Sequence, residues 1–251
     1  MISKARLKLI HSLEMRKYRQ EHGLFVAEGP KLVGELMAKS SPVYVAALPE
    51  WLETNGASLP TTTDCDTLTP DELRRASLMQ SPQMVVALFK MDNPQWDDNF
   101  ARQNLCIALD GVQDPGNMGT ICRLADWFGI EHIVCSRSCA DIYNPKAVQA
   151  TMGALARVNV HYTPLPQILR RAEVPVYGTF LDGEDIYNQT LQQHGFIVMG
   201  NEGKGISPEV EETVTARLYI PNYPRGRVTT ESLNVAIATS IVCAEFRRRG
   251  Q

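Results

Sequence analysis

The sequence has no long apolar run and no motif for export or metal binding. Its longest apolar stretches are far shorter than the roughly 20 residues that a membrane-spanning helix needs, and its first residues lack the apolar core of a signal peptide. Of its six cysteines, only Cys135 and Cys139 are close in sequence, and no second pair or nearby histidine completes the spacing of a zinc site. We therefore expect a soluble, reduced, cytoplasmic protein that binds neither a membrane nor a metal.

Two common nucleotide-binding motifs are also absent. The glycine-rich segment VMGNEGKGISPEV, residues 198–210, lacks the spacing of a phosphate loop, because Lys204 is followed by Gly205 rather than by serine or threonine. No G-x-G-x-x-G follows the first strand of either half of the chain, which argues against an ordinary dinucleotide-dependent oxidoreductase. An oxidoreductase of that kind stays an alternative. The glycines of residues 198–210 leave backbone groups free to approach another kind of ligand.

The residues that are present indicate a globular protein of one large or two ordinary domains. The chain has 251 residues, of which 44% are apolar and 21% are charged, and it contains no low-complexity run. The formal net charge is −3, yet residues 1–39 contain eight lysines and arginines against four glutamates. This local positive excess is typical either of an RNA-contacting surface or of ordinary solvated helix faces, and both interpretations stay open.

Patterns of secondary structure divide the chain in two. Residues 1–90 are predicted as a small α/β unit that begins with a basic helix over 3–20, and the polar, proline-containing segment 91–103 is predicted as the boundary. Beyond it, apolar strands alternate with helices, which predicts a mainly parallel sheet with helices on both faces. Ligands of such sheets bind beyond the carboxyl ends of the strands. The helices predicted in this half include 117–129, 145–156 and 232–248.

The loop in ALDGVQDPGNMGTICRLADWFG, residues 108–129, leads from a strand into a helix. Asn117 is predicted as the N-cap of that helix, and Arg123 lies in its second turn. Asparagine is an ordinary helix cap and arginine an ordinary surface residue. Neither residue alone therefore indicates a function.

A further loop ends in Ser232 and Asn234, which are predicted to open the last helix. Its next nine residues, Val235 to Cys243, are apolar or small apart from Thr239 and Ser240, and a helix that is apolar all round is buried. The polar start of this helix, with the positive end of its dipole, should therefore point into the protein or toward a ligand.

Three segments together carry a family resemblance. They are N-M-G-T-I-C-R at 117–123, M-G-N-E-G-K-G at 199–205 and I-P…S-L-N-V across 220–235, and they resemble the three motifs of the SpoU, or TrmH-type, RNA ribose methyltransferases of the SPOUT superfamily. The resemblance covers roughly residues 104–248. The basic segment KYRQEHGLFVAEGPKLVGELM, residues 17–37, also resembles the small substrate-binding domain that some members carry.

The resemblance implies a fold, a reaction and a set of site residues. It implies an α/β protein with an L30e-like RNA-binding domain over residues 1–95 and a trefoil-knotted methyltransferase domain over 104–251. It implies methyl transfer from S-adenosylmethionine to a ribose 2′-hydroxyl of structured RNA, with ribosomal RNA favoured over transfer RNA, by a homodimer in which the partner chain completes each site. The implied cofactor-binding residues are Met199, Gly200, Asn201, Gly205, Ile220 and Leu233, and the implied catalytic and RNA-facing residues are Asn117, Arg123, Glu202, Ser232 and Asn234.

The chain departs from the family between Ile220 and Ser232. There PNYPRGRVTTE, residues 221–231, is longer than the usual spacing, so this loop changes the surroundings of the cofactor. Arg225 and Arg227 lie in the extra length and would face either RNA or solvent.

No histidine lies in any of the three motifs, so the usual proton acceptor at neutral pH is absent from the predicted site. The family assigns this role to the arginine that matches Arg123, although a guanidinium stays protonated in nearly all proteins. Arg123 is predicted to be essential as a base, as an orienting group for the hydroxyl, or as a bidentate ligand of the adjacent phosphate. A catalytically inactive RNA-binding protein of the same fold is the alternative, and four retained residues argue against it: Asn117, Arg123, Glu202 and Asn234.

Overall fold

The computed structural model describes residues 2–225, 227–228, 230 and 232–250. In chain order, the helices are α1 (Lys4–Ser12), α2 (Arg16–His22), α3 (Pro30–Met37), α4 (Pro49–Asn55), α5 (Pro70–Ala76), α6 (Asn99–Gln103), α7 (Pro115–Trp127), α8 (Pro145–Thr151), α9 (Leu165–Ala172), α10 (Pro208–Glu211) and α11 (Val235–Arg249). The strands are β1 (Leu24–Glu28), β2 (Tyr44–Ala47), β3 (Asp64–Thr67), β4 (Val85–Lys90), β5 (Leu105–Leu109), β6 (His132–Ser136), β7 (Asn159–Thr163), β8 (Val176–Asp185), β9 (Gly195–Met199) and β10 (Ala216–Tyr219). In the part of the chain that the structure describes, no helix is long and apolar enough to span a membrane.

Contacts group the chain into two units. The first comprises Met1–Asp92 and Asp141–Arg157, and the second comprises Asn93–Ala140 and Val158–Gln251. The first break falls inside the predicted boundary 91–103. The segment Asp141–Arg157 groups with the first unit although it lies far along the sequence, so the functional division into 1–95 and 104–251 stays a prediction.

The first unit is built on a four-stranded sheet of order β1-β4-β2-β3. Strand β4 is antiparallel to both β1 and β2, whereas β2 and β3 are parallel. One core of this unit contains apolar side chains from α1 and from the sheet, including Ile10, Leu13, Val26, Tyr44 and Leu88. Helix α5 begins with a reciprocal capping box formed by Thr69 and Glu72.

The single helix predicted over 3–20 is wrong, because the chain breaks between α1 and α2. The guanidinium of Arg19 donates to the carbonyl oxygens of Leu13 and Glu14, at 2.8 and 2.7 Å, and so satisfies the connecting turn. Arg19 is only 1% exposed and forms an ion pair with Asp141, with Nη2 2.6 Å from Oδ2. Its charge is therefore neutralised inside the unit and does not contribute to a positive surface.

The second unit contains a six-stranded sheet of order β10-β8-β9-β5-β6-β7. All its strand pairs are parallel, which confirms the predicted parallel sheet. Every residue of β5 and of β9 is buried, as expected for central strands that are covered on both faces. The carboxyl ends of these two strands lie side by side, because Leu109 pairs with Met199.

Two predicted helix starts are wrong by a few residues. Helix α7 begins at Pro115 because Asp114 is its N-cap and accepts a hydrogen bond from the backbone N–H of Asn117 at 2.8 Å. Asn117 therefore lies in the first turn, and its side chain is not used as the cap. Helix α11 begins at Val235 with Asn234 as N-cap, which leaves Ser232 outside the helix.

Two further helix predictions need correction. Residues 145–156 form α8 only to Thr151, because Met152 and Gly153 adopt left-handed conformations, and a short 3₁₀ turn over Ala154–Ala156 follows. Helix α11 is not buried all round within one chain, since its Ile237 side chain is 54% exposed.

The segment 91–103 is structured rather than a plain linker. It contains α6, and the Phe100 ring stacks on His132 with centroids 3.8 Å apart. His161, 2% exposed, donates from Nδ1 to the carbonyl oxygen of Pro94 at 3.1 Å, and its Nε2 lies 3.1 Å from Nδ1 of His132. The contact between the two rings requires at least one of them to be neutral, because one nitrogen must accept, and burial lowers the pKa of His161 to about 4.

This histidine pair predicts a loss of stability in acid. The folded-state pKa of His161 is about 4 against 6.5 for the free side chain, so the unfolded chain binds more protons between these values. The free energy of unfolding should therefore fall as the pH drops from 6.5 toward 4. Urea denaturation across this range should show a smaller fall in His161→Gln, whereas His22→Gln, at an exposed position, should keep the full slope. An unchanged slope in His161→Gln would contradict this account.

Candidate active site

The site begins where β5 and β9 end, at two loops that hydrogen-bond to each other. The backbone N–H of Asp110 donates to the carbonyl oxygen of Met199 at 2.9 Å. One residue further on, Asn201 donates from Nδ2 to the carbonyl oxygen of Gly111 at 2.6 Å. Gly111 has a φ of +71°, which favours glycine, so the chain can turn sharply here. These contacts hold the predicted first and second motifs side by side.

Glu202 joins the two loops through its carboxylate. Oε2 accepts the backbone N–H of Gln113 at 3.1 Å, and Oε1 accepts the backbone N–H of Asp114 at 3.2 Å and Nδ2 of Asn117 at 3.0 Å. Partial burial raises the pKa of Glu202, but the hydrogen bonds from Asn117 and the backbone outweigh it, and the net pKa lies below the usual range. Glu202 is therefore ionised at neutral pH.

Asn117 extends this network to the third motif. Because its NH₂ group faces the carboxylate of Glu202, its Oδ1 is free to accept, and it accepts Nδ2 of Asn234 at 3.0 Å. The Oδ1 of Asn234 in turn accepts the backbone N–H groups of Ala236 and Ile237 at the start of α11, at 2.9 and 3.2 Å. One residue from each motif thus forms the continuous network Glu202–Asn117–Asn234.

A pocket of about 490 Å³ opens beside this network, within the range of small-molecule cofactor sites. All six residues predicted to bind the cofactor line it: Met199, Gly200, Asn201, Gly205, Ile220 and Leu233. Two residues predicted to be catalytic, Glu202 and Ser232, also line it. The walls therefore combine apolar side chains and exposed loop backbone with the carboxylates of Glu202 and Glu211 and the ammonium of Lys204, a set that fits a cofactor with charges of both signs and an aromatic base.

Sequence analysis missed one wall of this pocket. Thr179, Phe180 and Leu181 of β8 line it, as does Tyr219 at the end of β10. This wall could have been predicted, because ligands of parallel sheets bind beyond the carboxyl ends of strands, and β8 and β10 are neighbours in the sheet. The segment PVYGTFL, residues 175–181, is not followed by a glycine-rich loop, so its local pattern does not indicate a ligand site.

Two predicted residues lie outside the network. Arg123 is exposed on α7, and the six positions that separate it from Asn117 turn the helix by about 240°, so the two residues project from different faces. Arg123 makes no hydrogen bond or ion pair with any residue that the structure describes. Ser232 is exposed at the pocket wall. Within one chain, the structure thus unites three of the five predicted catalytic residues.

The long loop 221–231 is only partly described, since Gly226, Thr229 and Glu231 lie outside the described residues. Arg225 forms an ion pair with Asp185, whose side chain is 14% exposed, so it is not a free cation. The prediction that this loop changes the surroundings of the cofactor falls partly on residues outside the described ones. Among the residues that the structure describes, no group of three or more histidine, cysteine or acidic side chains could hold a metal ion.

Comparison with known proteins identifies the family. The profile of the SpoU rRNA methylase family matches residues 104–244, and that of the MRM3-like substrate-binding domain matches residues 4–87. The chain is 32% identical over 240 residues to the 23S rRNA (guanosine(2553)-2′-O)-methyltransferase RlmP of Bacillus subtilis, across 94% of this chain and 93% of that protein. The chain therefore belongs to the SpoU rRNA methylase family.

Solved structures agree with this assignment. A TrmH-family protein from Porphyromonas gingivalis has a TM-score of 0.89 and 41% identity, with 99% of each chain covered. An S-adenosylmethionine-bound rRNA methyltransferase from Sinorhizobium meliloti has a TM-score of 0.84 and 27% identity, covering 99% of this chain and 96% of that chain. The α/β fold, the N-terminal substrate-binding domain and the S-adenosylmethionine-dependent methyltransferase class are thereby confirmed, while the knot stays a prediction.

The shape of the pocket depends on Gly200. A Cβ atom there would lie 2.3 Å from the carbonyl carbon of Gly205 and 2.4 Å from the backbone nitrogen of Ile206, which is too close for any side chain. Gly200→Ala should therefore push the loop apart and abolish S-adenosylmethionine binding in calorimetry. Gly203→Ala is the matched control, because its Cβ would meet nothing closer than 3.8 Å. Equal binding by the two variants would contradict this account of the pocket.

Proposed function

We propose that this chain methylates a ribose 2′-hydroxyl of structured ribosomal RNA and that it acts in the cytoplasm. The observation that carries the proposal is the Glu202–Asn117–Asn234 network beside a cofactor-sized pocket. Relatives named as 23S rRNA 2′-O-methyltransferases support the substrate. Among the alternatives, an inactive RNA-binding protein finds no support in a site whose motif residues are present and hydrogen-bonded.

The reaction needs alignment and the loss of one proton. Bound S-adenosylmethionine supplies a methyl group on a good leaving group. The amide NH₂ groups of Asn117 and Asn234 each carry a second hydrogen beyond the one donated within the network. These hydrogens can position the ribose oxygens or the adjacent phosphate of the RNA. Ser232, exposed at the pocket wall, adds a hydroxyl on the same side.

Glu202 acts by positioning rather than as the base. Its carboxylate already accepts three hydrogen bonds, and its pKa lies below the usual range. A general base needs a pKa near the working pH to remove a proton efficiently. Glu202 therefore fixes Asn117, and the proton of the hydroxyl must leave by another group.

We assign Arg123 of the partner chain to the reacting hydroxyl, as the proton acceptor, as an orienting group or as a bidentate ligand of the adjacent phosphate. Helices α7 and α11 pack together and expose Trp127 and Ile237, which are 84% and 54% exposed in one chain. Large exposed apolar side chains mark interaction surfaces. A two-fold dimer formed through this exposed face of α7 and α11 would cover the side chains of Trp127 and Ile237. It would also place Arg123, on the outer side of α7, at the active site of the partner chain.

The N-terminal domain supplies further RNA contacts. Three of the eight lysines and arginines in residues 1–39 form ion pairs: Arg19 with Asp141, Arg6 with Asp64 and Lys39 with Asp92. Within residues 1–39, the exposed cations that remain are Lys4, Lys8, Arg16, Lys17 and Lys31. They form the positive surface that we assign to the RNA backbone.

The dimer has a direct test in its mass. Sedimentation at micromolar concentration should give about twice 28.0 kDa. Trp127→Glu should reduce the mass to that of one chain, because a charge cannot be buried unpaired in an apolar interface. Met15→Glu is the control, since Met15 is also exposed, at 59%, but lies in the first unit. A fully active monomer would contradict the shared site.

The role of Arg123 tests the proposed function. Arg123→Ala should keep the affinity for S-adenosylmethionine, because Arg123 does not line the pocket, yet methyl transfer should fall by at least about 100-fold. Arg123→Lys should not restore it, because an ammonium lacks the planar, bidentate donor set. Arg74→Ala, at an exposed arginine paired with Asp71, is the control. Normal methyl transfer by Arg123→Ala would overturn this role.

A further inference from the structure

A short turn outside the three motifs supports the catalytic loop. This support turn, residues 136–140, begins with Ser136, the last residue of β6. The hydroxyl oxygen of Ser136 accepts the backbone N–H of Gly111 at 2.9 Å, and the backbone N–H of Ala140 donates to the carbonyl oxygen of Val112 at 2.8 Å. The thiol of Cys139 adds a contact to the carbonyl oxygen of Leu109 at 3.2 Å.

Gly111 is therefore held from two sides. Its carbonyl oxygen is bound by Asn201 of the glycine-rich loop, and its N–H is bound by Ser136 of the support turn. Gly111 is buried, so water cannot easily replace a lost acceptor for its N–H. A Cβ at Gly111 would lie 3.6 Å from the Cβ of Asn201, which shows how closely the two loops approach.

The position of Gly111 affects the Glu202–Asn117–Asn234 network. Two and three residues later, the N–H groups of Gln113 and Asp114 bind the carboxylate of Glu202, which in turn binds Asn117. A displacement of this loop would therefore misplace the carboxylate. Catalytic groups must be held in position to within a fraction of an ångström, and the contacts that support them determine whether this precision is reached.

We propose that Ser136 is a positioning residue for methyl transfer, acting through the N–H of Gly111 on the loop that fixes Glu202. This inference rests on the proposed function. Because the Ser136 oxygen accepts from Gly111, its own hydrogen is directed to Oγ of Ser138, 2.9 Å away, or to the sulfur of Cys139, 3.5 Å away. Cys139 can take this hydrogen without Ser138, so the acceptor contact to Gly111 does not depend on the Ser138 hydroxyl.

Three single variants test this role. Ser136→Ala removes the acceptor, Ser136→Thr keeps it, and Ser138→Ala changes an exposed neighbouring hydroxyl that does not bind Gly111. In single-turnover assays with saturating RNA and S-adenosylmethionine, Ser136→Ala should slow methyl transfer about tenfold or more. Its affinity for the cofactor should change less than about twofold, and Ser136→Thr and Ser138→Ala should keep rates close to that of the unmodified protein.

Hydrogen exchange gives a readout that does not depend on activity. The N–H of Gly111 should exchange faster in Ser136→Ala than in Ser136→Thr. An unchanged methyl-transfer rate in Ser136→Ala, or an equal loss in Ser138→Ala, would overturn the proposal. So would a loss of rate that merely follows a loss of folded protein. Failure of the unmodified protein to methylate any RNA would instead contradict the proposed function, and the exchange of Gly111 would still test the Ser136 contact.

Discussion

The carboxylate of Glu202 is the contact on which the site depends. It lies in the loop after β9 and accepts hydrogen bonds from two backbone N–H groups and one side-chain amide, all in the loop and first turn after β5. A carboxylate with three donors is strongly favoured in its ionised form. The same contact orients the amide of Asn117, so that it can bind Asn234 at the start of α11.

This arrangement separates two tasks. Residues of β8 and the loops after β9 and β10 line the pocket, whereas the network beside it is the part that we propose to face the RNA. Of the two ionisable residues predicted to be catalytic, neither is placed within one chain to remove the proton, since the carboxylate of Glu202 already accepts three hydrogen bonds and Arg123 lies on another face of α7. The exposed Trp127 and Ile237 give a physical reason for a second chain, because it would cover these apolar side chains and bring an arginine to each site.

Alternating elements predicted the parallel sheet, because they record local constraints, and the family resemblance implied six cofactor-binding residues that all line the pocket. Sequence patterns did not predict the start of α7, because Asp114 and Asn117 are both good N-caps and only the competition between them decides. They also missed the burial of Arg19, since counting charges does not reveal an ion pair with Asp141, 122 positions away. Likewise, an apolar helix face shows that α8 is buried but not against which unit it packs.

The central claim is that the methyl group goes to a ribose oxygen. Its most direct test is an RNA fragment that the protein methylates, compared with the same fragment carrying 2′-deoxyribose at the modified nucleotide alone. The account predicts that both fragments bind with similar affinity, because a single hydroxyl contributes little to a contact dominated by phosphates, and that the deoxy fragment accepts no methyl group. Methylation of the deoxy fragment would place the reaction on the base and contradict the account.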